Sequence, residues 1–461
     1  MGTNAARETG RKPNIVLILT DDQGYADVGV YGARGFETPH LDRMAAEGLR
    51  FTDFYVASSV CSPSRAALLT GCYPQRVGIP GVLGAWLDIG ISETEYLLPE
   101  MLREQGYATA LAGKWHLGHH PPFFPRRHGF DEFFGTLWSN DLGPKPASLE
   151  DRRLGRCGLR LWENETVLEV NPDQRLLTRR YTEKATDFIR RHREDPFFLY
   201  LAHNMPHTPL FASDRFAGTT QRGLYGDVIA ELDWSVGEVL DTIRAEGLSE
   251  QTLVIFLSDN GPWLIFGDHG GSADPLQGGK RQTLEGGHRV PCIMWWPGAI
   301  PAGRICSEFA TAMDFFPTMA DLTGGRLPDH PIDGHSITPL MLDEPGAATP
   351  YEVFYYYQLE SLQALRAGTW KLQLPHLDTG APDPDGIGHG GYRGQTREVP
   401  RGLALYDLSA DPEELHDVAG YHPEVVAELL KQAAWARQEL GDSNTGHSGR
   451  GIRPPGRFIE E

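Results

Sequence analysis

Cysteine is scarce in this chain: five among 461 residues, at positions 61, 72, 157, 292 and 306. The number is odd and no pair is spaced Cys-x-x-Cys, which argues against a disulfide framework or a structural zinc site built on thiolates. Long apolar runs are lacking as well. The longest, such as IVLILT (15–20) and TLVIFL (252–257), fall far short of the ~20 residues that span a bilayer. The N-terminal stretch MGTNAARETGRKPN has no apolar core of a secretory signal, so the expectation is a cytoplasmic protein, or a periplasmic or secreted one whose signal was removed before Met1. In that setting the sequon at Asn164-Glu165-Thr166 is an accident of composition. Positive charge is also short, with 42 Lys and Arg against 62 Asp and Glu and a net charge of −20. Without a compensating basic run, neither nucleic acid nor an anionic membrane is expected as a partner. An anionic substrate would need a pocket of local positive charge.

What is present reads as an ordinary soluble balance, 40% hydrophobic and 23% charged, in a chain long enough for two structural units. NIVLILT (14–20), PFFLYLA (196–202) and TLVIFLS (252–258) are apolar without alternation, as strands buried on both faces are. Between them lie helical patterns: after Thr38-Pro39, over 95–105, and over 225–245. Strand and helix in alternation predict an α/β fold, a large mostly parallel mixed sheet flanked by helices. Beyond a linker near 343–350 the pattern changes to short strands and turns, then a helix from about Asp411-Pro412. This predicts a catalytic domain over 1–345, a smaller C-terminal unit of antiparallel sheet plus helix over 346–440, and a loosely ordered tail over 441–461.

Ligands of open α/β sheets bind beyond the carboxyl ends of the strands. There the first strand runs into Asp21-Asp22 and a later one into Asp259-Asn260. Either pair alone reads as turn residues. Both pairs behind equally apolar strands point instead to an all-oxygen site for Ca²⁺ or Mg²⁺. Cys61 opens a further candidate. Ser62 as cap, Pro63 in the first turn and Gly71 as stop predict a short helix with Cys61 at its N-terminus, where an anion is favoured. Arg65 follows one turn later, so the thiol stands in polar, electropositive company, the mark of a reactive cysteine. Cys72, after the helix, has no such company and reads as structural.

Cys61-Ser62-Pro63-Ser64-Arg65 with Leu69-Thr70-Gly71 resembles the C-x-P-S-R-x-x-x-L-T-G signature of type I sulfatases, the arylsulfatase-like branch of the alkaline phosphatase superfamily. Asp21-Asp22-Gln23-Gly24, Gly113–Gly118 (GKWHLG), Ser258–Gly261 (SDNG) and Gly279-Lys280 with Glu285–Pro291 (EGGHRVP) match the family's other segments in order. Leu405–Leu408 with Asp411-Pro412 resembles its C-terminal subdomain. The resemblance implies an alkaline-phosphatase-like fold and hydrolysis of a sulfate ester to an alcohol and inorganic sulfate. It implies that Cys61 is oxidised to formylglycine by a formylglycine-generating enzyme that reaches it in the unfolded chain. A thiol attacking sulfur would leave a thiosulfate ester with no easy exit, whereas the aldehyde hydrate offers one hydroxyl to attack and a second to expel sulfate. By the same resemblance Asp21, Asp22, Asp259 and Asn260, with residue 61, hold one cation per chain, calcium with magnesium as the alternative. Arg65 fixes the hydrate, Lys114 and Lys280 clamp the sulfate, His116 takes the proton that triggers release, and His203 serves the leaving oxygen. His207 is left as a neighbouring or substrate contact, and His120, His128, His269 and His288 receive no role.

Three rival readings remain at this level. One is a phosphate or phosphonate ester hydrolase of the same superfamily. Another, a cysteine phosphatase, needs a longer Cys-to-Arg spacing. The third is a relative that binds sulfated glycans without cleaving them. Aryl sulfates and sulfated carbohydrates are both open as substrates. Selectivity is expected in loops 78–95, 138–175 and 262–275, while the aromatic run Phe354–Tyr357 either lines or merely supports the pocket.

Overall fold

The computed structural model describes residues 12–142 and 158–460, so Cys157 and the middle of the 138–175 loop lie outside the described residues. Ten strands form the main sheet: β1 (Asn14–Thr20), β2 (Leu49–Phe51), β3 (Ala108–Lys114), β4 (Glu132–Thr136), β5 (Arg160–Glu163), β6 (Thr166–Val170), β7 (Phe197–Ala202), β8 (Thr252–Ser258), β9 (Cys292–Trp295) and β10 (Arg304–Cys306). Their order is β10-β2-β9-β8-β1-β7-β3-β4-β5-β6. The centre, β8 to β4, is parallel throughout, and antiparallel strands flank it.

The unbroken apolar run of β1 has the expected cause. Ile15, Leu17 and Leu19 enter one core and Val16 and Ile18 another, and all five are buried. The first core is shared with helices α2 (Cys61–Thr70), α3 (Leu98–Glu104) and α6 (Phe315–Thr323). The second takes α1 (Pro39–Glu47), α4 (Leu177–Arg191) and α5 (Leu224–Ala245). At ~1.5–3 kcal/mol per fully buried large apolar side chain, this double burial is the main term holding the sheet. α3 is shorter than its pattern suggests, because Pro99 must sit in the first turn and the Glu100 carboxylate caps it by accepting the Leu97 N–H at 2.7 Å.

A second, antiparallel sheet of Phe354–Gln358, Ser361–Ala367, Trp370–Gln373 and Ala404–Asp407 carries the helix α7 (Pro423–Leu440). The helix does not begin at Asp411-Pro412. The Asp411 carboxylate accepts the Leu415 and His416 N–H groups at 2.9 and 2.8 Å, and Glu414 has φ 57°, so this segment is a turn and Pro423 starts the helix. The run Phe354–Tyr357 is buried core; Tyr356 donates to Glu285 at 2.9 Å, and Lys371 bridges Glu285 and Glu414 at 3.0 and 2.8 Å. Glu285 of the EGGHRVP block thus ties the two sheets together.

The tail also departs from its composition. Residues 441–460 run back to the main domain instead of hanging loose. Arg453 pairs with buried Glu95 at 2.7 Å and Arg450 with Glu439 at 2.9 Å, while Gly456-Arg457 pairs with Ile89-Gly90. Ion pairs and a two-residue ladder replace the apolar anchors that the tail lacks.

Candidate active site

Parallel strands deliver the site from one edge of the sheet. β1 hands on Asp21-Asp22, β8 hands on Asp259-Asn260, β3 ends in Lys114 just before His116, and β7 leads into residues 203–207. α2 brings Cys61 as its first helical residue. Its N-cap is Val60, in extended conformation, and not Ser62 as the sequence suggests; the Ser62 hydroxyl instead accepts the Leu83 N–H at 3.0 Å. Asp22 and His116 have φ of 67° and 61°, the left-handed region, at ~1–3 kcal/mol each. Neighbouring bonds hold them there: Asp259 Oδ1 accepts the Asp22 N–H at 3.1 Å, and the Leu137 carbonyl accepts the His116 N–H at 3.2 Å.

Carboxylate oxygens of Asp21, Asp22 and Asp259 lie within 4.8 Å of one another. Three buried cations face them. Lys114 contacts Asp21, Lys280 Nζ is 2.7 Å from Asp22, and Arg65 Nη2 is 2.9 Å from Asp259 and 3.3 Å from Asp21. Burial raises Asp22 and, with the charge of Asp21, pushes Asp259 up to about 6; burial also raises Asp21, but Lys114, His207, Arg65 and Lys280 outweigh it and hold that carboxyl low. Two oxygens remain over. Asp21 Oδ1 and Asn260 Oδ1, one from each acidic segment, are buried with no hydrogen-bond donor. Such atoms are costly unless satisfied, and a hard divalent cation taking an all-oxygen set would satisfy both. These residues fit a calcium- or magnesium-type ion.

Cys61 lies beside this cluster, with a thiol only 3.9 Å from Lys280 Nζ and within 4.8 Å of oxygen and nitrogen atoms of Asp21 and His207. It is nevertheless buried, and burial pushes its thiol up against the pull of Lys114 and Lys280. The electropositive company expected of Cys61 is there, but as a thiol the residue is neutral and enclosed and not the ionised nucleophile that such company marks. Arg65 spends its donors on Asp259, Asp21 and the Lys114 carbonyl (2.9 Å), so it holds the acidic cluster in place.

Two histidines are set for proton work. His116 Nε2 lies 3.1 Å from the Leu83 carbonyl, which can only accept; Nε2 thus carries the hydrogen, and the buried, unpartnered Nδ1 is a bare base. Burial, with Lys114 and Arg65 nearby, keeps this ring neutral. The second is His207, whose Nδ1 bonds the Thr208 carbonyl at 2.6 Å and whose Nε2 is 3.7 Å from Asp22. His203 is not brought into the cluster. Along β7, Leu199 and Leu201 face the α4–α5 core, and His203 continues that period of two, its Nε2 3.2 Å from Ser235 of α5. The alternation, read one residue past the strand, would have turned His203 toward that core, but it does not place His207, which lies four residues further on. Ser139, which carries no motif, was also beyond the sequence reading; its hydroxyl is 3.4 Å from Lys114 Nζ and from His207.

A family model described as Sulfatase matches residues 13–325. The chain belongs to the sulfatase family. It is 41% identical over 434 residues to N-acetylgalactosamine-6-sulfatase of Canis lupus familiaris, covering 87% of this chain and 81% of that protein. It is 40% identical over 463 residues to arylsulfatase A of Homo sapiens, covering 95% and 90%. Among solved structures, Ps i-CgsB in complex with k-i-k-neocarrahexaose superposes with a TM-score of 0.77 at 29% identity, covering 92% of both chains. The protein is thus a type I sulfatase of the alkaline phosphatase-like superfamily, a sulfuric ester hydrolase. The cysteine-phosphatase and binding-protein readings give way.

Proposed function

We propose that this sulfatase removes sulfate from a sulfated sugar, with Cys61 converted to formylglycine and a calcium ion held by Asp21, Asp22, Asp259 and Asn260. The observation that carries this reading is the pair of donorless buried oxygens, Asp21 Oδ1 and Asn260 Oδ1, set beside Cys61 and two lysines. When bound, the cation supplies positive charge that acidifies a hydroxyl on residue 61 and draws charge from the sulfuryl oxygens. Lys114 and Lys280 bind the sulfate as the local basic pocket that an acidic protein needs. His116 takes the proton at Nδ1, its tautomer set by the Leu83 carbonyl. His207, and not His203, serves the leaving oxygen through Nε2, with Ser139 beside it. Because its Nδ1–H is given to the Thr208 carbonyl, Nε2 is bare in the resting ring and must gain a proton before it can pass one on. The enclosed neutral thiol agrees with a cysteine that reacts before folding and is not itself the nucleophile. A sugar as the alcohol is supported by the 6-sulfatase relative and by the oligosaccharide held in Ps i-CgsB.

The test is the mass of the tryptic peptide Phe51–Arg65 from cells containing the maturation enzyme, followed by turnover of 4-nitrophenyl sulfate and of N-acetylgalactosamine 6-sulfate. A thiol-to-aldehyde shift with calcium-dependent turnover is expected. A thiol left wholly unmodified in active protein would sink the mechanism.

A further inference from the structure

His119 and His120, just past the GKWHLG segment in the loop between β3 and β4, have no part in the reaction. Their ring centres lie 4.1 Å apart. Asp88, from the loop ahead of α3, meets them there. Its Oδ1 is 2.9 Å from His120 Nε2, and one donor atom from each of the three side chains lies within 4.8 Å of the other two. Backbone fixes this meeting. Gly118 turns the chain at φ 121°, where a Cβ would meet Phe123 at 2.6 Å. Pro121 then confines His120 to extended backbone, φ −83° and ψ 155°. Ile91 donates to the Leu117 carbonyl at 2.8 Å, which ties the Asp88 segment to the histidine loop.

The tail closes the frame. Gly456-Arg457 pairs with Ile89-Gly90, Phe458 donates its N–H to the Asp88 carbonyl at 2.9 Å, and the Phe458 ring stacks on His120 at 4.1 Å and 10°. Trp138 packs on His119, with 4.7 Å between ring centres. A hydrogen bond to one carboxylate needs one imidazole. Here a second ring, packed on Trp138, brings a further nitrogen to the same place.

Two imidazoles and a carboxylate are a different donor set from the acidic cluster beside Cys61. Calcium and magnesium take oxygen, whereas imidazole nitrogen with one carboxylate suits zinc and its neighbours. Three protein ligands with a fourth position open to water are the arrangement of accessible zinc sites. Tetrahedral ligand atoms ~2.0–2.2 Å from zinc stand about 3.5 Å from one another. The spacing here, 2.9 Å at one edge and under 4.8 Å throughout, brackets that value. An ion has a way in, since the Asp88 side chain is 55% exposed and that of His120 18%.

We infer that Asp88, His119 and His120 bind one zinc-type divalent ion, and that this ion fastens the end of the C-terminal tail to the segment carrying His116. Ligation holds the His120 ring under Phe458 and the Asp88 segment beside Gly456-Arg457, the contacts by which the tail is attached there.

The test reads binding, so it depends neither on formylglycine nor on the identity of the sugar. Cys61→Ala protein, which offers no thiol beside Asp21 and His207, is stripped with a chelator, saturated with calcium and titrated calorimetrically with zinc chloride. One equivalent is expected. Asp88→Ala, His119→Ala and His120→Ala each weaken it by more than the ~10–100-fold that loss of an outer-shell partner costs. His120→Gln, which can still donate to Asp88, replaces the alanine variant should that one not fold. Zinc also slows amide hydrogen exchange across residues 441–460, and does not in the variants. No zinc equivalent, or one that survives all three substitutions, would overturn the site. Zinc held by these residues with exchange in the tail unchanged would overturn the fastening.

Discussion

Cys61 and Cys72 bracket a single ten-residue helix, and both are buried. Burial pushes both thiols up, Cys72 to about 12. Their difference lies in what the two ends of the helix face. Cys61 meets Lys280, Asp21 and His207, where the parallel strands end. Cys72 sits in the apolar core, its Sγ 3.6 Å from the Thr70 carbonyl and touched by Arg453 at 3.5 Å. Exposure does not distinguish the two cysteines. The convergence on Cys61 of charged groups distant in sequence does.

The largest effect sharpens this comparison directly. Cys61→Ala should remove turnover of 4-nitrophenyl sulfate, a loss on the order of 10⁶-fold as for other nucleophile deletions, with an unchanged melting profile. Cys72→Ala should leave kcat intact and cost ~1–2 kcal/mol of stability, measurable by denaturant titration. Comparable activity losses in both would mean that Cys61 is only another core residue.

Removal of the metal is the next step down. Asp21→Asn or Asp259→Asn should abolish stoichiometric calcium, read by elemental analysis, and lower kcat/KM by ~10³-fold or more through lost charge stabilisation. Chelation of the parent should do the same reversibly and lower Tm, since an ion bound only by the folded state stabilises it. Full activity after complete removal of divalent ions would break the assignment of Asp21 Oδ1 and Asn260 Oδ1 to a cation.

The two histidines after β7 repeat the cysteine contrast on a smaller scale. His207→Ala should lower kcat by ~10²–10⁴-fold, and less for substrates whose leaving group needs no proton. His203→Ala removes a ring packed against Ser235 and Tyr181. It should cost stability, ~1–3 kcal/mol, with kcat within about threefold. The reverse pattern would restore the residue that the sequence favoured.

Much of this was legible in the residues. Apolar runs without alternation announced buried parallel strands, and the acidic pairs behind them announced the carboxylates that the structure brings together. The signature around Cys61 announced the family. What was not legible depends on three dimensions: His207 rather than His203 was hidden because the motif contains both, and Ser139 because a lone serine carries no pattern. The Ser62 hydroxyl was misread as a cap because its partner, Leu83, is 21 residues away and local rules do not see it. Tail residues 441–460 looked loose because composition records few apolar anchors and is silent about which buried acid an arginine will meet.

That tail gives the smallest effect and returns to Cys72. Arg453 pairs through Nε and Nη2 with Glu95, which is wholly buried, and Nη2 also lies against the Cys72 sulfur. Removing the guanidinium leaves the buried carboxylate with only the His330 ring, 3.6 Å away, among its ion-pair partners in the described residues. Arg453 is itself partly exposed, so the cost is below that of a fully buried pair, ~1–3 kcal/mol. Arg453→Ala should therefore lower the denaturation midpoint while leaving kcat per folded molecule unchanged. Glu95→Gln in the same chain should recover part of the loss, because the stranded charge and not the missing contact is the larger penalty. A fall in kcat without a fall in stability would instead join the Cys72 end of the helix to catalysis and dissolve the contrast between its two cysteines.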